Sequence, residues 1–306
     1  MFAHLVADST ASSRYFAELR RWLMFILEFE LACSTWDDLD RAAARYIAYS
    51  CILQGAHPSV GDQLPNGLGY LFPTSDGCFA RAWRCLKVWH RIHIHGQGGP
   101  LPVELLRWME DLMNSWAEYQ CADMVALAVD SYLLGQDLLS IRVGDLSFVD
   151  GELAIRLGVS ARGESAKTGR DQGVRVDHVE VMELILKRAA DIVKVHGAKK
   201  AALQPLFTVT QDKYRRVWNA AAEHLGIHNP PPPHTARHSG PSRDAATGHR
   251  SLAQIQRRGR WSSDRSVLRY AKTAEYLSSF KLVPTAVIER GAMLLCSRVR
   301  PQQPRE

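Results

Sequence analysis

Apolar residues recur every three to four positions along most of this chain and every second position over only two short runs. In residues 12–32, Phe16, Leu19, Leu23, Ile26 and Leu27 form one helical stripe opposite Glu18, Arg20 and Arg21. Ser34 and Thr35 precede Asp37 and Asp38, an N-cap signature for a second helix. Leu39, Ala43, Tyr46 and Ile47 are its stripe, and Gly55 stops it. The Pro- and Gly-bearing run from His57 to Pro73 leaves room for one short helix around Val60–Tyr70, and Phe79–His93 reads as another, with Trp83, Leu86 and Trp89. The segment 1–96 is therefore expected to be a helical domain.

The run HGQGGPLP, residues 95–102, breaks the pattern and marks the boundary with a second domain, 97–306. Val103–Tyr119 resumes as a helix with Leu106, Met109, Met113 and Trp116 on one side; Ala122–Leu134 is mostly apolar and expected to be buried; Asp137–Ile141 is a short helical segment. The period then changes. Leu153–Leu157 and Gly173–Val176 read as short strands around the polar connection ARGESAKTGRDQ, which carries Lys167. Val179–His196 and Gln211–Leu225 are helical again. Asn229 and the four prolines after it cannot continue a helix, and they deliver the chain to His234. Thr285–Arg298 makes a last helix, which packs either on its own domain or on a neighbouring protomer. The fold class is mainly α with a small antiparallel β-sheet.

Length and composition fit this picture: 306 residues suffice for two domains, each with a core, and the apolar fraction is that of a folded protein. Six scattered cysteines without a C-x-x-C pair are expected to be reduced thiols. No signal-like N-terminus and no run long enough to span a bilayer is seen, so a soluble, nuclear or otherwise intracellular protein without membrane contact is expected. His90, His93 and His95 lack cysteine or carboxylate partners at ligand spacing, so they read as a solvated helix end and no metal site is expected.

Charge sharpens the functional question. The net charge is +6 and the pI about 9.0. Between His234 and Lys272, Arg237, Arg243, Arg250, Arg257, Arg258, Arg260, Arg265, Arg269 and Lys272 face only Asp244 and Asp264. A polyanionic partner follows, and nucleic acid is the obvious one. Arg243, Arg257, Arg258, Arg260 and Arg269 are the expected contacts to its phosphates.

The same stretch holds His234-x-x-Arg237, then Gly259-Arg260-Trp261, then Tyr270 nine residues past the tryptophan. With Lys167 in its K-T-G connection between two strands, the order and spacing resemble the catalytic domain of the tyrosine recombinase (phage integrase) family. The wording around RSLAQIQRRGRW is similar to divergent eukaryotic members, including those of mobile elements. The likeness is specific over roughly 100–280. Over 1–95 it rests on helix pattern alone, where it implies a helical, SAM-like core-binding domain. The resemblance implies DNA breakage and rejoining through a covalent 3′-phosphotyrosine, in site-specific recombination or integration, by a strand transferase that uses no metal or nucleotide cofactor. Tyr270 would be the nucleophile, Arg237 a phosphate clamp, Lys167 the acid for the leaving oxygen, His234 a proton-transfer group and Trp261 a phosphate donor. It also implies a homo-oligomer, dimer or tetramer, closed around duplex DNA.

One slot departs from the family. The run LGQDLLSIRVGD, Leu134 to Asp145, keeps the acidic residue (Asp137), the paired leucines, Arg142 and Asp145, but Leu134 stands where the first clamp arginine belongs. Arg142 is a poor substitute, about 12 Å further along a continuous helix. Loss of one preorganised donor costs on the order of 10²–10³ in rate. Two readings stay open, an active or attenuated strand transferase and a DNA-binding protein of recombinase descent that no longer cuts. A third, weaker one is a helical interaction scaffold. Tyr276, six residues past Tyr270, is the rival nucleophile, and His238 is expected to be structural or to support the site from behind its reacting groups.

Overall fold

The computed structural model describes residues 10–75, 77–92, 99–164, 166 and 169–298. The chain divides into two compact units, Met1–Gly96 and Gln97–Glu306.

The first unit is built from α1 (Thr10–Glu28), α2 (Trp36–Ile52), α3 (Pro58–Gly61), α4 (Gln63–Leu71) and α5 (Ala80–Ile92). Thr35 caps α2 in a reciprocal box with Asp38, as the sequence pattern requires. The stretch 57–73 forms two short helices rather than one, because His57 caps a turn led by Pro58 and the chain restarts at Gln63. The buried face of α1 is also rotated from the expected one. Leu19, Trp22, Phe25 and Ile26 enter the core, whereas Phe16, Leu23 and Leu27 are exposed. Glu18 goes inward with them because its carboxylate accepts from the Tyr46 hydroxyl at 2.8 Å and from Arg21 at 2.9 Å. Asp40 on α2 accepts from the amides of Arg81 and Ala82, so a side chain from one helix caps the start of α5.

In the second unit α6 (Val103–Ser115), α7 (Tyr119–Ser131) and α8 (Gly135–Ser140) lead into a three-stranded antiparallel sheet in the order β1 (Leu146–Val149), β2 (Glu152–Leu157), β3 (Gln172–Val176). Then follow α9 (Val179–His196), α10 (Ala198–Ala201), α11 (Gln211–His224), α12 (Thr235–Ala246), α13 (Leu252–Gly259), α14 (Asp264–Tyr270), α15 (Thr273–Ser279) and α16 (Thr285–Arg298). Strand β2 alternates cleanly, with Leu153, Ile155 and Leu157 inward, in register with Val176 and Val174. Strand β1 was not among the expected elements. Its own residues are mostly exposed, and its mark in the sequence is the Asp150-Gly151 turn, both residues at positive φ, which closes the β1–β2 hairpin.

The core gathers Leu105, Leu106 and Met109 of α6, Met124, Val125 and Leu127 of α7, the inner face of β2, Ile185 of α9 and Trp218 of α11. Helix α16 lies in cis against α6: Val287 is buried, and a Cβ on Gly291 would come within 2.0 Å of the Glu104 carbonyl oxygen. All six cysteines are free thiols. No described helix is long and apolar enough to cross a membrane.

Candidate phosphate-binding site

The proline run fixes where the site begins. Trp218 on α11 donates from its indole nitrogen to the Pro231 carbonyl at 2.8 Å, tying the run to the core. The amides of Thr235 and Ala236 then donate to the carbonyls of Pro232 and Pro233, and α12 starts with His234 at its N-cap. One turn in, Arg237 is 2% exposed, one of the largest fully buried side chains of the described protein. Its guanidinium donates to the carbonyls of Tyr132 (2.6 Å) and Gly259 (3.3 Å), while its Nε is buried without a hydrogen-bond partner. Burial holds the arginine below its ordinary range, and the closeness of Tyr270 and Asp137 partly offsets that.

Tyr270 ends α14 directly over this arginine. Its ring stacks on Trp261 (centroids 4.5 Å apart, planes at 13°) and on His238 (4.4 Å, 25°). His234 meets it edge-on at 6.3 Å and His238 edge-on at 5.0 Å. The Arg237 Cζ lies 5.3 Å from the Tyr270 ring centroid and 5.4 Å from that of Trp261. The hydroxyl of Ser242 on α12 donates to the Tyr270 carbonyl at 2.5 Å and accepts from the Lys272 amide at 3.0 Å, so α12 pins the end of α14. Gly259 is required here because a Cβ would meet the Trp261 ring at 2.4 Å. Burial pushes His238 down to about 3, with His234, Lys272 and Arg237 adding to the effect, so its imidazole is neutral.

The structure therefore brings His234, Arg237, Trp261 and Tyr270 together. Lys167, in the β2–β3 connection, lies outside the described residues, as do His93 and His95. Tyr276, the rival nucleophile, is 3% exposed, accepts from the Val103 amide, packs edge-on against Phe280 and is pushed up to about 12 by burial. It is a core residue of α15.

The expected DNA-contacting arginines divide. Arg257 and Arg269 are exposed and Arg243 half-buried. Arg258 is placed differently: it donates to the Asp130 carbonyl and carboxylate, pairs with Asp177 at 2.7 Å and lies under the Tyr132 ring. Its charge is neutralised internally, and it serves as a strut, not a surface contact. Arg260 also points inward, toward Asp137, and burial beside Arg237 pushes it down to about 10.

Leu134 is buried and is the N-cap residue of α8, which ends at Ser140. The continuous helix assumed between Leu134 and Arg142 does not exist, since Ile141 and Arg142 are extended. Arg142 pairs with Glu164, and Arg162 with Asp145 and Glu164, so both are held by carboxylates outside the site.

Two contributors, Tyr132 and Gly240, were not visible from the sequence pattern, and the supporting role expected of His238 takes a definite form. Tyr132 sits at positive φ at the end of α7, offers its carbonyl to Arg237, stacks on Trp261 and hydrogen-bonds Asp244. His238 stacks on the tyrosine. Gly240 allows α12 to cross α7, where a Cβ would reach the Val129 carbonyl at 2.2 Å. The HxxRH spacing puts His238 one residue beyond Arg237. The two aromatic contacts themselves arise only from long-range packing.

The family model of the phage integrase family matches residues 103–276, and the chain belongs to that family. No curated protein matches in sequence. Among solved structures, the Tn1549 transposon integrase in complex with transposon right end DNA is similar, with TM-score 0.60 and 15% identity, over 93% of this chain and 100% of that one. The lambda integrase dimer bound to a COC′ core site matches with TM-score 0.59 and 14% identity, over 89% and 93%. At these identities the likeness is one of fold.

Proposed function

We propose that this protein is a DNA strand transferase that breaks and rejoins duplex DNA through Tyr270. The observation that carries the reading is the tyrosine itself, stacked between His238 and Trp261 and set over the buried guanidinium of Arg237, with His234 beside it. In the proposed step the Tyr270 oxygen attacks a DNA phosphorus, the P–O5′ bond breaks, and a 3′-phosphotyrosine forms with retention of bond energy for rejoining. The tyrosine proton passes toward His234, the 5′ oxygen takes a proton from Lys167, and Arg237 and Trp261 face the phosphate oxygens. Fixed cations supply the charge stabilisation, so the displacement needs neither metal nor nucleotide. Met1–Gly96 would act as a core-binding unit on DNA, and exposed Arg257 and Arg269 with Arg243 would hold flanking phosphates. Protomers would assemble on DNA as dimers or tetramers, in the nucleus or otherwise inside the cell, in the service of a mobile element or of its host.

The target sequence is open, so the test selects it. Nicked duplexes of randomised sequence are incubated with protein, and DNA surviving denaturation as a covalent adduct is recovered. Wild type should capture DNA and Tyr270→Phe should not; an adduct that persists in Tyr270→Phe sinks the assignment. Leu134 favours a second reading, a member of the family that binds DNA without cutting. It predicts salt-sensitive duplex binding with no adduct from wild type.

A further inference from the structure

We propose that Arg260 is the second guanidinium of the phosphate clamp, standing in for the arginine that Leu134 replaces; this rests on the site being a phosphate site, as proposed above. A single oxygen, Oδ2 of Asp137, ties the relevant groups together. It lies 3.4 Å from the Leu134 amide nitrogen, 3.4 Å from Nη2 of Arg260 and 3.9 Å from Nη1 of Arg237. The charge missing from the start of α8 is thus delivered to the same spot from the other side, by the turn after α13.

Three features mark Arg260 as a ligand-binding group. Its side chain is 6% exposed, yet Nε and Nη1 are buried without any hydrogen-bond partner. Buried donors are nearly always satisfied, and an unsatisfied cationic one is costly unless something occupies it. Its one carboxylate contact among the described residues is long, 3.4 Å against the 2.7–2.9 Å of a tight charge-assisted bond, and Asp137 serves two arginines at once. Finally, the backbone of Arg260 is left-handed, φ 56°, at the C-cap of α13, where the amides of Arg260 and Trp261 fold back on the Arg257 and Gln256 carbonyls. Glycine is the usual residue there. The same turn carries Trp261, and Gly259 supplies a carbonyl to Arg237, so the two guanidiniums and the indole are positioned as one unit. Arg237 likewise keeps a buried Nε unpaired. A tetrahedral oxyanion taken up between the two would satisfy donors on both.

The experiment uses Arg260→Asn, because asparagine tolerates the left-handed backbone, together with Leu134→Arg added to it. Two readouts are taken on folded protein: covalent capture of the randomised nicked duplex, and binding of inorganic phosphate by ³¹P line broadening at constant ionic strength. Arg260→Asn should lower capture by roughly 10²–10³-fold and abolish the phosphate broadening, and Leu134→Arg should restore part of both. A purely structural Arg260 would not be rescued from position 134. If wild type captures DNA and Arg260→Asn does so equally well, the clamp assignment is overturned and the strand-transfer reading stands. If wild type captures nothing but binds phosphate through Arg260, the clamp stands and strand transfer falls. If neither readout depends on Arg260, the inference is wrong.

Discussion

Tyr270, the proposed nucleophile, is held by aromatic stacking more than by hydrogen bonds, so the neutral state of its neighbours matters. His238 has its ring on Tyr270, and burial depresses it to about 3 against about 6.5 in an unfolded chain. A depressed histidine contributes stability above its unfolded value and loses it as pH falls, because the unfolded chain takes up a proton that the fold refuses. Wild type is therefore expected to lose stability on going from about pH 6.5 toward pH 3 more steeply than His238→Phe. Denaturant midpoints measured across that range check this, and parallel profiles would contradict the burial argument. Tyr276 shows the opposite placement on the next helix. Its hydroxyl is spent on the Val103 amide, so in the covalent-capture assay Tyr276→Phe is expected to leave DNA capture unchanged while Tyr270→Phe removes it.

Among elements, α12 decides the geometry. It carries His234, Arg237, His238 and Ser242, and it can lie close to α7 only because residue 240 has no side chain. In Gly240→Ala the added methyl meets a backbone carbonyl that cannot swing aside. A loss of about 1–3 kcal/mol, the usual range for overpacking, is expected, with weakened Arg237-to-Tyr132 bonding. A urea titration measures the first. An unchanged midpoint would mean that α12 and α7 can separate freely. The short α8 teaches a related lesson. It stops at Ser140 and the chain turns extended, so Arg142 belongs to the Asp145–Arg162–Glu164 network.

At the scale of the whole molecule, the charge is less available than its count suggests. Of the basic residues between 237 and 272, Arg250 and Arg258 are consumed by Asp244, Asp177 and Asp130, and Lys272 pairs with Glu275. Exposed Arg257, Arg265 and Arg269 remain for a polyanion. Duplex affinity should fall steeply between about 50 and 200 mM salt, and Arg257→Ala and Arg269→Ala should each reduce the log–log slope by about 1. Arg258→Ala should instead lower stability. Fluorescence anisotropy with a random-sequence duplex separates the two classes, and an Arg258→Ala slope as shallow as that of Arg257→Ala would show that the internal pairing breaks on DNA.

Local pattern was enough to reveal most helices as far as Leu225, strand β2, the Thr35 cap and the linear order of His234, Arg237, Trp261 and Tyr270, because periodicity, capping and motif spacing are properties of neighbouring residues. It did not reveal strand β1, whose side chains are mostly exposed, nor the rotation of α1, where a buried Glu18–Tyr46 bond overrode hydrophobicity. Which arginines face the site was beyond it altogether. Arg257, Arg258 and Arg260 are almost adjacent in the chain, yet one is exposed, one is an internal strut and one points at Asp137. Those directions follow from a left-handed turn and from carboxylates more than a hundred residues upstream. Tertiary packing alone brings Arg237 and Arg260 to one oxygen of Asp137, the same oxygen that accepts from the amide of Leu134, where the sequence had shown only a missing guanidinium.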